Sequence, residues 1–372
     1  MKTCFFINRL LSGGAQNTLA AIVNGMYEKG EKVEILAFEP RKNKDITFNK
    51  NIKVTYLCKS KDENFLKIIF KLIIFFLKSN SKIFVPTGDA GIIILSRFLS
   101  LITNKKNIPW IQFHFINSKP KNLLKKIIWN IFFVNLNILD HKVIFCSKYI
   151  KKLYVENFNW KKGKFIYQAI DTDLISDSIK IKLIRKIKNK YKNEKIILAP
   201  GRIDKDKNHL SILKAINILK KDNIKFKLLM IGEKGNSLKE VKSYILKNKL
   251  NKNIRFIPLI KFQKFLNWLV AADLVVLNSS QEPIGGIAFE NMFLKTNYII
   301  SYQTGWKEII QNKKDGNVIT DTFNDFEIYK RMKFVLNKKY KSNLKNKNYK
   351  FIYKNFNYRE ISKKWIYEIK NI

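Results

Sequence analysis

With 372 residues, the chain has room for two ordinary domains, each large enough to bury its own core. Hydrophobic residues at 46% and aromatics at 13% can offset the entropy lost on ordering, which excludes an intrinsically disordered chain. The 72 Lys+Arg against 29 Asp+Glu give a formal charge of +43, a field that attracts phosphates, anionic lipids or nucleic acid.

Three readings of that charge stay open. Lys, Ile and Asn are abundant throughout, so much of it can be solvated surface. Basic residues interleaved with large apolar ones also suit a membrane-facing surface. Nucleic-acid binding finds no motif and no separate basic tail, so no nucleic-acid partner is expected. Cys4, Cys58 and Cys146 lie far apart and fit no metal-ligand spacing, which points to a reducing compartment, hence the cytoplasm, without structural disulfides.

Residues 1–12 resemble a signal peptide superficially, but Asn8 and Arg9 interrupt the apolar run and the segment reads as a first strand. From there, short apolar runs alternate with helix-length amphipathic ones almost to the end, the pattern of parallel sheets with crossover helices. The fold class is α/β. In the first half, strands are expected near 3–7, 33–38, 53–57, 82–86, 109–114 and 142–146. Helices are expected near 15–29, 62–79, 90–103, 120–138 and 147–157.

Two of those helices carry unusual apolar content. Phe65 to Leu77 (FLKIIFKLIIFFL) is shorter than the roughly twenty residues of a spanning helix and is broken by Lys67 and Lys71. It can lie amphipathically on a surface or pack on its own sheet. Leu123 to Leu136 (LLKKIIWNIFFVNL), with Lys125 and Lys126 beside Trp129, has the same two readings.

A lysine-rich, weakly patterned helix at 175–193 marks the domain boundary. Strands then follow near 195–200, 226–231, 254–257, 273–278 and 297–302, with helices near 209–222, 237–249, 262–272, 286–296 and 306–311. The tail from about 325 to 372 reads as helical, with Trp365, Ile366 and Ile369 apolar.

In open α/β sheets, ligands gather outside the carboxyl ends of the strands, so the loops there carry the chemistry. The loop Pro200 to Asn208 (PGRIDKDKN) puts Arg202 and Lys207 at a strand end, where a diphosphate would fit; the alternative is a polar turn with solvated charges. In Ser279 to Asn291 (SSQEPIGGIAFEN), Gly285 and Gly286 permit close backbone approach, and the helix-start amides favour an anion. Glu282 in that loop and Glu290 one turn into the helix can each accept hydrogen bonds from paired hydroxyls, one from a ribose and one from a sugar ring. Two glutamates at this spacing are also commonly just solvated.

Taken in order, the chain resembles the retaining glycosyltransferases of family 4, which have the GT-B fold. The motifs that carry the resemblance are the Arg202/Lys207 loop, then Ile231-Gly232-Glu233-Lys234-Gly235, then Ala271-Ala272-Asp273-Leu274-Val275-Val276-Leu277 leading into Glu282 and Glu290. It covers nearly the whole chain, and the ordered set is specific where each motif alone is not. It implies two doubly wound Rossmann-like domains facing across a cleft. Residues 1–175 would be the acceptor side and 176–350 the nucleotide-sugar side, with a helix at 351–372 crossing back to the first domain.

By position, the resemblance implies that Arg202 and Lys207 neutralise the donor diphosphate and that Glu290 binds the ribose. It places Glu282 near the donor sugar, and the amides of Ile284, Gly285, Gly286 and Ile287 near sugar and phosphate. In the first domain, Ser12-Gly13-Gly14-Ala15-Gln16 matches the glycine loop, and His114 matches the sugar-side histidine. Glu282, His114, Arg202 and Lys207 are the residues expected to carry catalysis. His141 and His209 lack such support and read as structural. Three stretches depart from the family pattern: Gln168-Ala169-Ile170-Asp171, Gln16, and Gln303-Thr304-Gly305.

The implied activity is that of a hexosyltransferase-type enzyme. It would move a sugar with retention from a nucleotide-diphosphate sugar, UDP-sugar favoured, to a glycan or lipid-linked oligosaccharide acceptor in bacterial envelope polysaccharide, lipooligosaccharide or O-antigen synthesis. No cofactor and no metal are expected, and contact with an anionic membrane at its inner face is. The rival reading is a catalytically inactive sugar-nucleotide-binding or membrane-scaffold subunit.

Overall fold

The computed structural model describes all residues except 11–12, 40–45, 59, 61–62, 161–162, 223 and 338–341. The chain divides into two compact units, Met1–Ile170 with Phe356–Ile372, and Asp171–Asn355.

The first unit is built on β1 (Thr3–Ile7), β2 (Val33–Ala37), β3 (Lys53–Tyr56), β4 (Ile83–Thr87), β5 (Lys106–Asn107), β6 (Trp110–Ile111), β7 (Val143–Phe145) and β8 (Gly163–Phe165). They pair in parallel in the order β3-β2-β1-β4-β6-β7-β8, with β5 beside β4. Parallel strands are covered on both faces, which is why β1, β2 and β4 are buried along their whole length and are mainly apolar, with Glu34 the one charge among them. Alternation sorts their side chains. Phe5, Ile7 and Ile35 face the helix Gly14–Glu28 and the last helix, Tyr358–Lys370, while Cys4, Phe6 and Phe84 face the helices Phe65–Lys78 and Ala90–Ile102.

Those first two helices pack closely at Gly25, where a Cβ would lie 2.4 Å from the Ser362 hydroxyl oxygen, and Ser362 donates to the Ile22 carbonyl at 3.0 Å. Trp365 then reaches Phe5 and Trp110 with ring centroids 5.8 and 5.0 Å apart.

The second unit carries β9 (Lys195–Pro200), β10 (Phe226–Ile231), β11 (Ile254–Ile257), β12 (Leu274–Leu277), β13 (Tyr298–Ser301) and β14 (Val318–Ile319). Their parallel order is β11-β10-β9-β12-β13-β14, so β9 and β12 are central neighbours that are far apart in sequence. Helices His209–Leu219 and Asp325–Leu336 bury Leu213, Ile216, Ile328 and Met332 with Ile197, Leu228 and Val276 of the sheet.

Several elements differ from the sequence expectations. The strand at 109–114 pairs only over Trp110–Ile111, bounded by Pro109, which has no N–H to give, and by His114, which starts a helix. The helix at 120–138 is α over Leu123–Trp129, π over Asn130–Val134 and 3-10 over Asn135–Leu139. Its ladder changes where the Arg97 guanidinium draws off the carbonyls of Phe132 and Phe133. The helix at 175–193 is two, Thr172–Asp177 and Ile181–Lys190; Asn267 pins the link by accepting from Lys180 N at 2.7 Å and donating to Ser178 O at 2.8 Å. The short strands β5, β8 and β14 were not anticipated. Residues 306–311 hold one 3-10 turn, Gly305–Glu308. Among the described residues the tail is three helices, Asp325–Leu336, Ser342–Phe356 and Tyr358–Lys370.

Candidate functional site

The site is assembled from the loops that leave β9, β12 and β13. After β9 the chain turns at Gly201, whose φ of +128° suits glycine, and the next strand's loop lies so close that a Cβ on Gly232 would sit 2.1 Å from Gly201 O. Arg202 is half exposed, and its Nε donates to the Asp204 carboxylate. Asp204 is itself fixed, its other oxygen accepting from Asn236 N at 2.8 Å. A 3-10 turn over Lys205–Lys207 follows, then Asn208 in the left-handed region (φ 50°), which opens the helix His209–Leu219. Asn208 and Asn278 both donate side-chain N–H groups to Thr322 O, tying the ends of β9 and β12 together.

Lys207 reaches across to the second loop. Its ammonium pairs with Glu282, with Asp206 at 3.8 Å. Burial works against the Lys207 charge, but Glu282 and Asp206 outweigh it and hold its pKa above the ordinary lysine value. Glu282 is 8% exposed, and its Oε2 also accepts from the Ser279 hydroxyl at 3.5 Å.

The turn after Glu282 is held by β13's loop. Gly305 N donates to Glu282 O at 2.8 Å, Trp306 Nε1 donates to Gly285 O at 3.1 Å, and a Cβ on Gly305 would lie 1.8 Å from Pro283 O. Ile284 is fully buried, Gly285 has φ +35°, and Gly286 and Ile287 open the helix Gly286–Phe293. First-turn amides of a helix have no partner within it and carry the positive end of its dipole.

Glu290 sits one turn in, 5% exposed, and among the described residues its carboxyl takes no hydrogen bond. Burial pushes its pKa up to about 8, so at neutral pH it is largely protonated. Its Oε1 would lie 3.5 Å from a Cβ on Gly286, which puts this carboxyl beside the helix start.

The first-unit candidates stand separately. Gly13, in extended backbone, precedes the helix that begins at Gly14, and Asn17 N donates to its carbonyl at 2.9 Å. Ser12 lies outside the described residues. His114 is buried and caps the short helix Phe115–Ser118, its Nδ1 accepting from Ile116 N at 3.2 Å; burial lowers its pKa. That bond requires Nδ1 to be unprotonated and leaves the proton of the neutral ring on Nε2. His141 accepts from Asn107 N at 3.4 Å. His209 is buried, with its pKa lowered by burial to about 4.

Residues 180–353 match the family described as glycosyl transferases group 1. The chain carries a group 1 glycosyl transferase domain. An uncharacterised glycosyltransferase of Methanocaldococcus jannaschii is 29% identical over 183 residues, which are 48% of this chain and 45% of that protein. The chain thus spans less than half of that relative's length. Among solved structures, HepE of Anabaena, in complex with UDP and glucose, superposes with TM-score 0.82 at 16% identity over 100% of both chains. Sucrose-phosphate synthase of Thermosynechococcus elongatus gives 0.79 at 13% identity, over 100% of this chain and 99% of that one. The fold class is therefore GT-B, with two Rossmann-like units.

Within the group 1 domain the structure brings Lys207, Glu282, Gly285, Gly286 and Glu290 together. It ties Arg202 to Asp204 in its own loop. Sequence reasoning missed the partners: Asp204 and Asp206 alternate with the cations they neutralise, and Trp306 anchors the glycine turn. The alternating charges of Arg202 to Lys207 were the one available signal.

Proposed function

We propose that this chain is a glycosyltransferase that moves a sugar from a nucleotide-diphosphate sugar, UDP-sugars first, to a glycan or lipid-linked acceptor with retention at the anomeric carbon. The observation that carries the reading is the Lys207–Glu282 pair set against the Gly285–Gly286 helix start, with Glu290 one turn on. As the donor bond breaks, negative charge gathers on the departing diphosphate. An ammonium and free backbone amides already aimed at that charge stabilise the transition state more than the ground state. Glu282 orients Lys207 and stands next to where the donor sugar would lie; Glu290 accepts from the ribose hydroxyls. Arg202, held by Asp204, adds a second cation at the loop's edge, so no resident cofactor or metal is invoked. His114 and the Gly13–Gly14 turn belong to the acceptor-side unit in this reading.

The acceptor suits assembly of envelope polysaccharide, lipooligosaccharide or O-antigen in a bacterium, at the inner face of the cytoplasmic membrane. The support is the basic charge and the apolar helices of the first unit. A thermal-shift panel of nucleoside diphosphates and their sugars tests the donor half: UDP or a UDP-sugar should raise the melting temperature in wild type and not in Lys207→Ala. No stabilisation by any nucleoside diphosphate would overturn the reading.

A further inference from the structure

One helical layer of the first unit is apolar on both of its faces. In the helix Phe65–Lys78, Ile68, Leu72 and Phe76 are buried against the sheet, while Phe65, Leu66, Phe70 and Leu77 are 61% to 75% exposed. The stretch Leu123–Leu139 repeats this. Trp129 and Phe133 point into an aromatic cluster, whereas Leu123, Leu124, Ile127, Ile128 and Ile131 are each at least 44% exposed. The helix Ala90–Ile102 packs against both and ends on exposed Leu101 and Ile102. The core needs only the inner stripes. Outer apolar stripes of this kind mark a surface that something else covers.

Charge identifies the cover. Between residues 65 and 139 the sequence has eleven Lys and Arg and a single acid, Asp89. Arg97 and Lys71 are committed internally, to Asp140 and Glu63. Lys67, Lys78, Lys119, Lys121 and Lys125 are exposed and pair with no acid among the described residues. Among the described residues no helix is long and apolar enough to cross a membrane.

We infer that this helical layer is a docking surface for a bilayer containing anionic lipid. Leu, Ile and Phe flanked by Lys is the composition of helices that lie in a lipid interface. Protein interfaces are instead depleted of Lys and enriched in Tyr, Trp and Arg. A second copy would set lysines against lysines. The inference deepens the acceptor reading above and rests on it for its purpose, because a transferase with a lipid-linked acceptor works at that surface.

The test is co-sedimentation of the full chain with phosphatidylcholine vesicles, with and without phosphatidylglycerol, at low and high salt. The wild type should pellet with the anionic vesicles, less with the neutral ones, and less as salt rises. Leu124→Glu with Ile127→Glu alters exposed positions only and should cut vesicle binding more than about tenfold. Lys125→Gln should lower it roughly fivefold. Leu246→Glu, at a position 64% exposed on the second unit, should change nothing. Stabilisation by UDP, read in the same samples, reports on the donor site alone, so its failure separates from failure at the vesicle. A wild type that stays in the supernatant with anionic vesicles, or a double variant that pellets like wild type, overturns the inference. So does a double variant that turns a dimer into a monomer, since the face would then belong to a second copy.

Discussion

Lys207 and Glu282 pair across 75 residues of sequence, joining the loop after β9 to the loop after β12. Lys207→Ala should lower kcat/KM for sugar transfer by about a hundredfold to a thousandfold, the loss expected when one preorganised donor to a developing anion is removed. It also leaves the Glu282 carboxylate buried without its counter-charge, so the melting temperature should fall. Adding Glu282→Gln should restore the melting temperature and not the transfer. Recovery of both in the double variant would assign the pair a structural role only.

Gly305 is a packing requirement for the same turn. A methyl group there would meet Pro283 O at 1.8 Å, and Gly305 N holds Glu282 O. Gly305→Ala should destabilise the chain by about 1–3 kcal/mol, or more if the turn cannot shift. The displaced Glu282 should weaken donor binding as well, read as a smaller thermal shift with UDP. A variant that melts and binds like wild type would show that the turn moves freely.

What the sequence disclosed follows from how each feature is encoded. Strands buried on both faces, such as Thr3–Ile7 and Val33–Ala37, announce themselves as short, mainly apolar runs, the second broken only by Glu34. Lys106–Asn107 and Val318–Ile319 are too short to show any period, so only their neighbours in the sheet create them. The π turn at Asn130–Val134 depends on Arg97, a partner more than thirty residues away, and local propensity is silent about it. At the site, Glu290 and the paired glycines were legible from their place after a strand. The grip of Asp204 on Arg202 and of Trp306 on Gly285 was not, because those are contacts of the folded chain and leave no periodic trace.

Glu290 gives a pH signature with a fixed sign. Its pKa is about 8 in the folded chain against 4.5 for an ordinary glutamate, so the folded state binds the proton more tightly than the unfolded one. Stability from this source is therefore full below pH 4.5 and declines as pH rises toward 8, by on the order of 4 kcal/mol. Denaturant melts of Glu290→Gln should lack that decline and exceed wild type at the upper end of the window. Ribose hydroxyls donating to this carboxyl favour its ionised form, so UDP affinity in wild type should increase with pH over the same range, and in the glutamine variant stay level. A wild type whose stability is flat between these values would place Glu290 in contact with water.

The buried pair of Arg97 and Asp140 makes a further prediction for the helical layer of the first unit. Arg97 Nε and Nη2 donate to the two Asp140 oxygens at 3.0 and 2.6 Å, and Asn107 adds a bond to Asp140 at 2.7 Å. Burial pushes the Asp140 pKa up, against the pull of the guanidinium. Arg97→Met keeps the volume but leaves a carboxylate with no counter-ion and two carbonyls without their donor, a loss of about 3–5 kcal/mol. Asp140→Asn in the same chain should recover much of it, since the uncompensated charge is gone. Because Arg97 holds the carbonyls of Phe132 and Phe133, amide exchange in Arg97→Met should speed up over residues 123–139 before it does in the sheet. UDP should still stabilise the variant, as the proposed donor site is on the other unit. Exchange that rises uniformly across the chain would mean the pair supports the whole fold and not this helical stretch.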